Sequence, residues 1–154
     1  MSARRPLAFS SLDQVMPDVD RLMMAGYTKV GNWQLGQACN HLAKGVVGAI
    51  DGVDFKAPWL IRMVLAPIFL RQILKSGKMR EQIKVPESIL PKPGLDDRAE
   101  IEALRAALQL YAAHTGPLPD HPFFGRLTRE QMDRFQNIHC AHHLSFLLPN
   151  EPGH

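Results

Sequence analysis

Apolar residues recur every three or four positions over most of the chain. Strict alternation is scarce, and no repeat appears at solenoid spacing. The pattern predicts a first helix from about Ser11 to Ala25, with Ser11 and Gln14 at capping-box spacing and Gly26 at the exit. Pro17 leaves open whether the first turn is separate, with the helix proper beginning there. A second helix is expected after Asn32 as N-cap. It ends near Asp51-Gly52 and has a core stripe of Leu35, Cys39, Leu42, Val46 and Ile50. A third apolar segment runs from Pro58 to Ser76 and is closed by Gly77. Lys78 to Leu95, with Pro86, Pro91, Pro93 and Gly94, reads as an irregular surface connection. Another helix is expected over Asp96 to His114. It has acidic residues at its positive N-terminal end and Ile101, Leu104, Leu108 and Tyr111 on its inner face. The last is expected to start at Thr128, with Gln131 three residues on, and to reach about Leu147 before Pro149. Met132, Phe135, His139, His142 or His143, and Phe146 form its stripe. Long amphipathic helices with no sheet to cover must bury their stripes on one another. The expected fold is therefore all-α, a four-helix bundle with one extra helix between the second and third.

A chain of 154 residues fits one domain, 1–154, with short loose ends at 1–9 and 149–154. The net charge of +3 is small and scattered, and the basic cluster from Arg62 to Lys84 is broken by Glu81. That cluster reads as a solvated helix face, so no nucleic-acid partner is expected. Arg4 and Arg5 are followed by no apolar run, which argues against a signal peptide. The most apolar stretch, Ala57 to Leu70, is too short for a bilayer and holds Arg62 and Pro67, so no membrane partner is expected either. Cys39 and Cys140 form no metal knuckle or disulfide framework. They read as reduced, buried thiols in a cytoplasmic protein.

The chemistry lies in the histidines, at 41, 114, 121, 139, 142, 143 and 154. His139 and His143 are one helical turn apart and project within about 40° of each other, close enough to hold one ion from the same side. They also replace apolar residues on the core-facing stripe. A buried imidazole must satisfy both ring nitrogens or bind something, and two protonated ones would repel; a metal removes both problems. The spacing alone is weak, and satisfied core or surface histidines are its ordinary explanation. A third ligand must come from elsewhere, and His41 is the best candidate. Its helix face carries Ala38, Gly45 and Gly48, which either leave room around the imidazole or allow close helix approach. His142 points about 100° from His143, toward the bundle edge. His114 and His121 flank a Gly/Pro loop and read as exposed; His154 reads as part of a disordered end.

The segment Trp33-Gln-Leu-Gly-Gln-Ala-Cys-Asn-His41-Leu42 resembles the DinB pattern, in which a tryptophan opens a helix and a His-Leu pair follows eight residues later. His139-Cys-Ala-His-His143 resembles its second element. The run from His121-Pro-Phe-Phe-Gly-Arg-Leu-Thr to His-His-Leu-Ser-Phe146 is similar to a DinB/YfiT-like subgroup labelled a domain of unknown function. The resemblance covers nearly the whole chain. It implies an up-down-down-up four-helix bundle with a long crossover, here Ala57 to Leu95, and metal ligation by His41, His139 and His143. Many DinB-like proteins follow the last histidine with Arg-Gly-Gln, whereas this chain has Leu144-Ser145-Phe146, so no role of those residues carries over.

Three neutral imidazoles leave a coordination position open, as in catalytic zinc sites, and suit zinc, nickel or ferrous iron. A water or a low-molecular-weight thiol there would be activated as a nucleophile. Some DinB-like proteins are metal-dependent thiol transferases and others are hydrolases. The resemblance thus implies a metal-dependent S-transferase or hydrolase acting on a small molecule. The alternative is a non-catalytic bundle that binds metal or a small ligand, as a homodimer through the apolar Pro58 to Leu74 helix. Gln37, Gln136 and Asn137 are near the ligands in sequence, although capping or helix-surface roles are the ordinary reading for each. Cys39 and Cys140 project away from the neighbouring histidines and read as core thiols.

Overall fold

The computed structural model describes residues 3–81 and 83–151. Its helices are α1 (Val15–Ala25), α2 (Leu35–Asp51), α3 (Ala66–Ser76), α4 (Asp97–Ala113) and α5 (Arg129–Leu144), and the fold is mostly helical. Two short strands, β1 (Tyr27–Lys29) and β2 (Leu147–Pro149), pair antiparallel with Thr28 opposite Leu148. His154 lies outside the described residues.

Several boundaries differ from the sequence expectation, each for a local reason. A short 3₁₀ turn, Leu12–Gln14, precedes α1, and the Gln14 side chain accepts from the N–H of Ser10 rather than pairing with Ser11. The N-cap of α2 is Gln34, not Asn32. Gln37 Oε1 accepts the Gln34 N–H at 3.0 Å, so a reciprocal Gln/Gln box fixes the start. The capping box at Thr128 and Gln131 forms as expected. The last helix, however, stops at Leu144, because Leu147–Pro149 pairs with β1. The segment before α3 is π-helical over Ile61–Leu65. Pro67 has no N–H to give and its ring crowds the turn before it, and the wider turn absorbs that crowding.

The N-terminal segment, expected to be loose, is tied down from Arg4 and Arg5. The N–H of Arg5 donates to the Ser145 carbonyl at 3.0 Å. Its guanidinium grips both carboxylate oxygens of Asp18 and donates to the carbonyls of Leu144 and Leu147. At the other end, Asn150 N–H donates to the Gly26 carbonyl, which extends the strand pairing past Pro149.

Helix α2 packs along α4 on one side and faces α5 on the other. The starts of α2 and α4 lie side by side. Gly36 N–H donates to Asp97 Oδ1 at 2.7 Å, and one turn on Asn40 Nδ2 donates to Glu100 Oε2 at 2.9 Å. These two helices therefore run the same way, and the connection over residues 52–96 carries the chain back to the starting end. Helix α5 runs against α2, since Trp33 meets His143 and Gly45 meets His139. The core is filled by Val15, Val19 and Leu22 of α1, Leu35, Cys39, Leu42 and Val46 of α2, Leu104 and Tyr111 of α4, and Met132, Cys140 and Leu144 of α5. One apolar face is left outside it. Trp59, Met63 and Ile68, on the helical run into α3, are 72%, 69% and 64% exposed. Among the described residues no helix is long and apolar enough to cross a membrane.

Candidate metal centre

His41 sits two turns into α2, and His139 and His143 sit one turn apart on α5. The antiparallel course of the two helices brings them together. His139 Nε2 lies 3.2 Å from His41 Nε2 and 3.1 Å from His143 Nε2. The three histidines each offer a ring nitrogen within 4.8 Å of the others, a set suited to holding a metal ion. Two nitrogens at about 2.0–2.1 Å from a tetrahedral zinc stand roughly 3.3 Å apart, close to both of these short contacts.

Hydrogen bonding fixes how the nitrogens are used. His41 Nδ1 donates to the Ile89 carbonyl at 3.0 Å, so in the neutral ring Nε2 carries the lone pair. That lone pair faces His139 Nε2. One proton on His139 or His143 can satisfy only one of the two short contacts in good geometry, whereas a cation accepts all three lone pairs. Protonating the cluster instead is costly. Burial pushes the pKa of His139 and of His143 well below the usual histidine value, and neighbouring histidines push in the same direction. For His41, burial lowers the pKa and outweighs the raising effect of the Ile89 hydrogen bond. Neutral imidazole is the form that binds metal. The fit is incomplete in one respect: His139 Nδ1 is buried with no hydrogen-bond partner among the described residues, a place where metal-bound histidines commonly hold a donor–acceptor contact.

Comparison with known families gives a match. The family model described as "Protein of unknown function (DUF1569)" matches residues 1–150. The chain belongs to that family. No curated protein and no solved structure matches it.

In this DUF1569 chain the triad opens into a cavity of about 1650 Å³, walled by α2, α3, α5 and the irregular connections. Trp33 stacks on His143 with ring centres 5.0 Å apart and leans on His41 at the same distance, covering the histidines from one side. Phe135 stacks on His139 from another. Ile89 belongs to the stretch expected to be a plain surface connection, and its carbonyl instead orients a candidate ligand. Gly45 opposes His139: a Cβ there would meet the imidazole Cε1 at 3.4 Å, an ordinary contact. Gly48 faces Val53 and serves the fold instead.

Two histidines lie elsewhere than the sequence suggested. His142 is in the cavity wall rather than at a bundle edge, because Arg4 Nη1 donates to its Nδ1 at 3.2 Å and Phe146 packs on its ring. Burial, with the Arg4 charge adding to it, lowers its pKa to about 4. His121 is also in the wall rather than exposed. Its Nδ1 accepts the N–H groups of Phe123 and Phe124 at 3.1 and 3.3 Å, and its ring packs on Phe124 and Phe135. The available clue was the Phe-Phe pair beside it, which marks an apolar turn rather than a solvated one. His114 stays on the turn after α4, next to the Pro117 carbonyl.

The remaining candidates divide. Gln37 is a capping residue that also donates to the Lys92 carbonyl. Gln136 and Asn137 are buried rather than on the helix surface, and each has a side-chain oxygen without a partner among the described residues. Gln136 lines the cavity. Cys39 and Cys140 are free, buried thiols, and burial pushes the pKa of Cys140 up to about 12 and raises that of Cys39 further, so both are inert as nucleophiles.

Proposed function

We propose that the chain binds one divalent metal ion, zinc, nickel or iron, through Nε2 of His41, His139 and His143, and that the bound ion serves a small-molecule reaction. The observation that carries this reading is the convergence of three Nε2 atoms, with His41 Nδ1 already committed to the Ile89 carbonyl. Three imidazoles leave a coordination position free, and the ion would there supply Lewis acidity toward a water or a low-molecular-weight thiol. The chain contributes the dry surroundings. Trp33 and Phe135 shield the imidazoles, and the adjoining cavity is large enough for a substrate next to the metal. A thiol S-transferase or a hydrolase is the reaction class proposed.

A DinB-like bundle is the architecture that goes with this reading. It is supported by the parallel course of α2 and α4, the long connection between them, and the opposite course of α5. One observation favours a non-catalytic binding protein as the second reading. Each of the three carboxylates on the cavity wall is already engaged, Glu81 with Arg4, Glu100 with Asn40 and Asp120 with Arg62. A partnered carboxylate is less free to turn toward a substrate as general base. A second copy of the chain is the partner proposed for the exposed apolar run around Trp59, Met63 and Ile68, because a patch of that kind marks a contact surface.

Elemental analysis of the purified protein tests the metal reading. One equivalent of zinc, nickel or iron per chain is expected, with loss of the metal in His139→Ala; a metal-free protein that takes up no zinc in titration would refute it. Turnover in a panel of thiol conjugations and amide hydrolyses, abolished in His143→Ala with the helical spectrum unchanged, would separate the enzyme from the binding protein.

A further inference from the structure

The cavity carries a second polar feature that the metal reading does not use. His121 opens a tight turn, His121-Pro122-Phe123-Phe124-Gly125, closed by reciprocal backbone hydrogen bonds between His121 and Gly125 at 2.7 and 2.9 Å. Gly125 has φ +70°, a conformation that favours glycine, so the turn is held rigidly. Inside it, two backbone N–H groups point at His121 Nδ1. A nitrogen that accepts two hydrogen bonds cannot carry a proton, so the neutral ring has its hydrogen on Nε2. Nε2 makes no hydrogen bond to any described residue and is not fully sealed, and His121 lines the cavity. Burial favours the neutral ring further, lowering the pKa to about 4.

The His121 ring is packed among aromatic rings, with the Arg62 guanidinium beside Gly125 at the end of the turn. Phe124 stacks on the His121 ring at 4.8 Å, Phe135 meets it edge-on at 5.1 Å, and Phe123 touches Phe55 beyond. Phe135 also stacks on His139, so one aromatic ring separates His121 from the histidine triad. A lone N–H in an aromatic wall discriminates strongly. A ligand without an acceptor leaves it unpaired out of water, and a ligand with a well-placed acceptor does not.

From this geometry we infer that the cavity takes a largely aromatic or apolar molecule bearing a carbonyl-type oxygen, and that His121 selects it by donating from Nε2 to that oxygen. This rests on the proposed function only in sharing its cavity. The orienting role belongs to the turn and the selecting role to Nε2, and the two can be separated by substitution. Asn in place of His121 keeps an acceptor near the Nδ1 position for the turn and removes the outer donor. Gln keeps a donor near the Nε2 position.

The test is a matched pair of probes, 2-acetylnaphthalene and 2-ethylnaphthalene, titrated calorimetrically into the full chain with and without one equivalent of zinc. The ketone is expected to bind about tenfold more tightly than the hydrocarbon, the scale of one buried hydrogen bond. In His121→Asn the ratio should fall to within about threefold. If the Asn variant is destabilised, His121→Gln decides, and it should keep most of the preference. Equal affinity of the two probes for the native chain, binding of neither, or a preference that survives in His121→Asn would overturn the inference. A preference that depends on His121 while zinc fails to bind would refute the metal reading and leave this one standing. Zinc bound by the triad with no preference would do the reverse.

Discussion

Helix α2 has two working faces, and they are built on opposite principles. Toward α4 it packs closely: Gly36 N–H donates to Asp97 and Asn40 Nδ2 to Glu100, and the adjoining stripe of Leu35, Cys39, Leu42 and Val46 is fully buried, although Asn40 Oδ1, beside the cavity, is buried without a partner among the described residues. Toward α5 it leaves space. His41 meets the α5 histidines directly, Gly45 faces His139, a cavity opens beside them, and polar atoms of His139 and Gln136 are unpartnered among the described residues. Burying an unsatisfied polar group costs on the order of 1–3 kcal/mol. The first face carries one such group beside close packing that stabilises the fold, while the second sets His139 and Gln136 beside an open cavity.

The sharpest way to break this contrast is one substitution on each face. Leu42→Ala should lower stability by about 2–5 kcal/mol, read by urea unfolding, while the folded fraction still takes up one zinc. His143→Ala should do the opposite, weakening zinc binding by about 100-fold or more in a chelator competition with little loss of metal-free stability. If His143→Ala proved as destabilising as Leu42→Ala, the imidazole would be a core residue and the two faces would not differ in kind.

The glycines offer a finer comparison. A Cβ at Gly36 would lie 2.6 Å from Asp97 Oδ1 and 3.1 Å from its Cα, so Gly36→Ala must push α2 and α4 apart, at a cost of about 1–3 kcal/mol. At Gly45 the nearest atom is 3.4 Å away, an ordinary contact, and alanine favours the helix by roughly 0.5–1 kcal/mol over glycine. Gly45→Ala should therefore raise the metal-free Tm while Gly36→Ala lowers it. Movement of both in the same direction would mean that the α5 side is packed as tightly as the α4 side.

A further effect is one of pH, on the metal-free protein. The folded pKa of His121 is lowered to about 4, against about 6.5 in the unfolded chain. Between those values the unfolded chain binds a proton that the folded chain refuses, so stability falls as pH drops from about 6.5 toward 4. For a single such histidine the slope is at most about 1.4 kcal/mol per pH unit. His121→Asn removes that proton from both states and should make the decline in unfolding free energy shallower over this window. An unchanged slope would place His121 in water.

Periodicity and caps were enough to locate the helices in the sequence, because both are local: a stripe every three or four residues, Asp96 and Thr128 at N-caps, glycines at exits. The same locality set His139 and His143 one turn apart. It did not extend to features made by distant partners. The end of α5 is set by β1, more than a hundred residues earlier in the chain, so Leu147–Pro149 becomes a strand where helical periodicity alone would carry on. The loose-looking N-terminus is held by a carboxylate on α1 and carbonyls after α5.

For the candidate site, the sequence by itself determined which imidazoles share a helix face, since helical pitch alone decides that. Whether His41 would meet them depended on α5 running back along α2, and the resemblance to DinB-like chains supplied that expectation where spacing could not. Only the tertiary structure brought His121 and His142 into the cavity wall. A side chain's access to water is fixed by what packs over it, here Phe124 and Phe135 for one and Arg4 and Phe146 for the other, and those neighbours are remote in the chain or hidden within a turn.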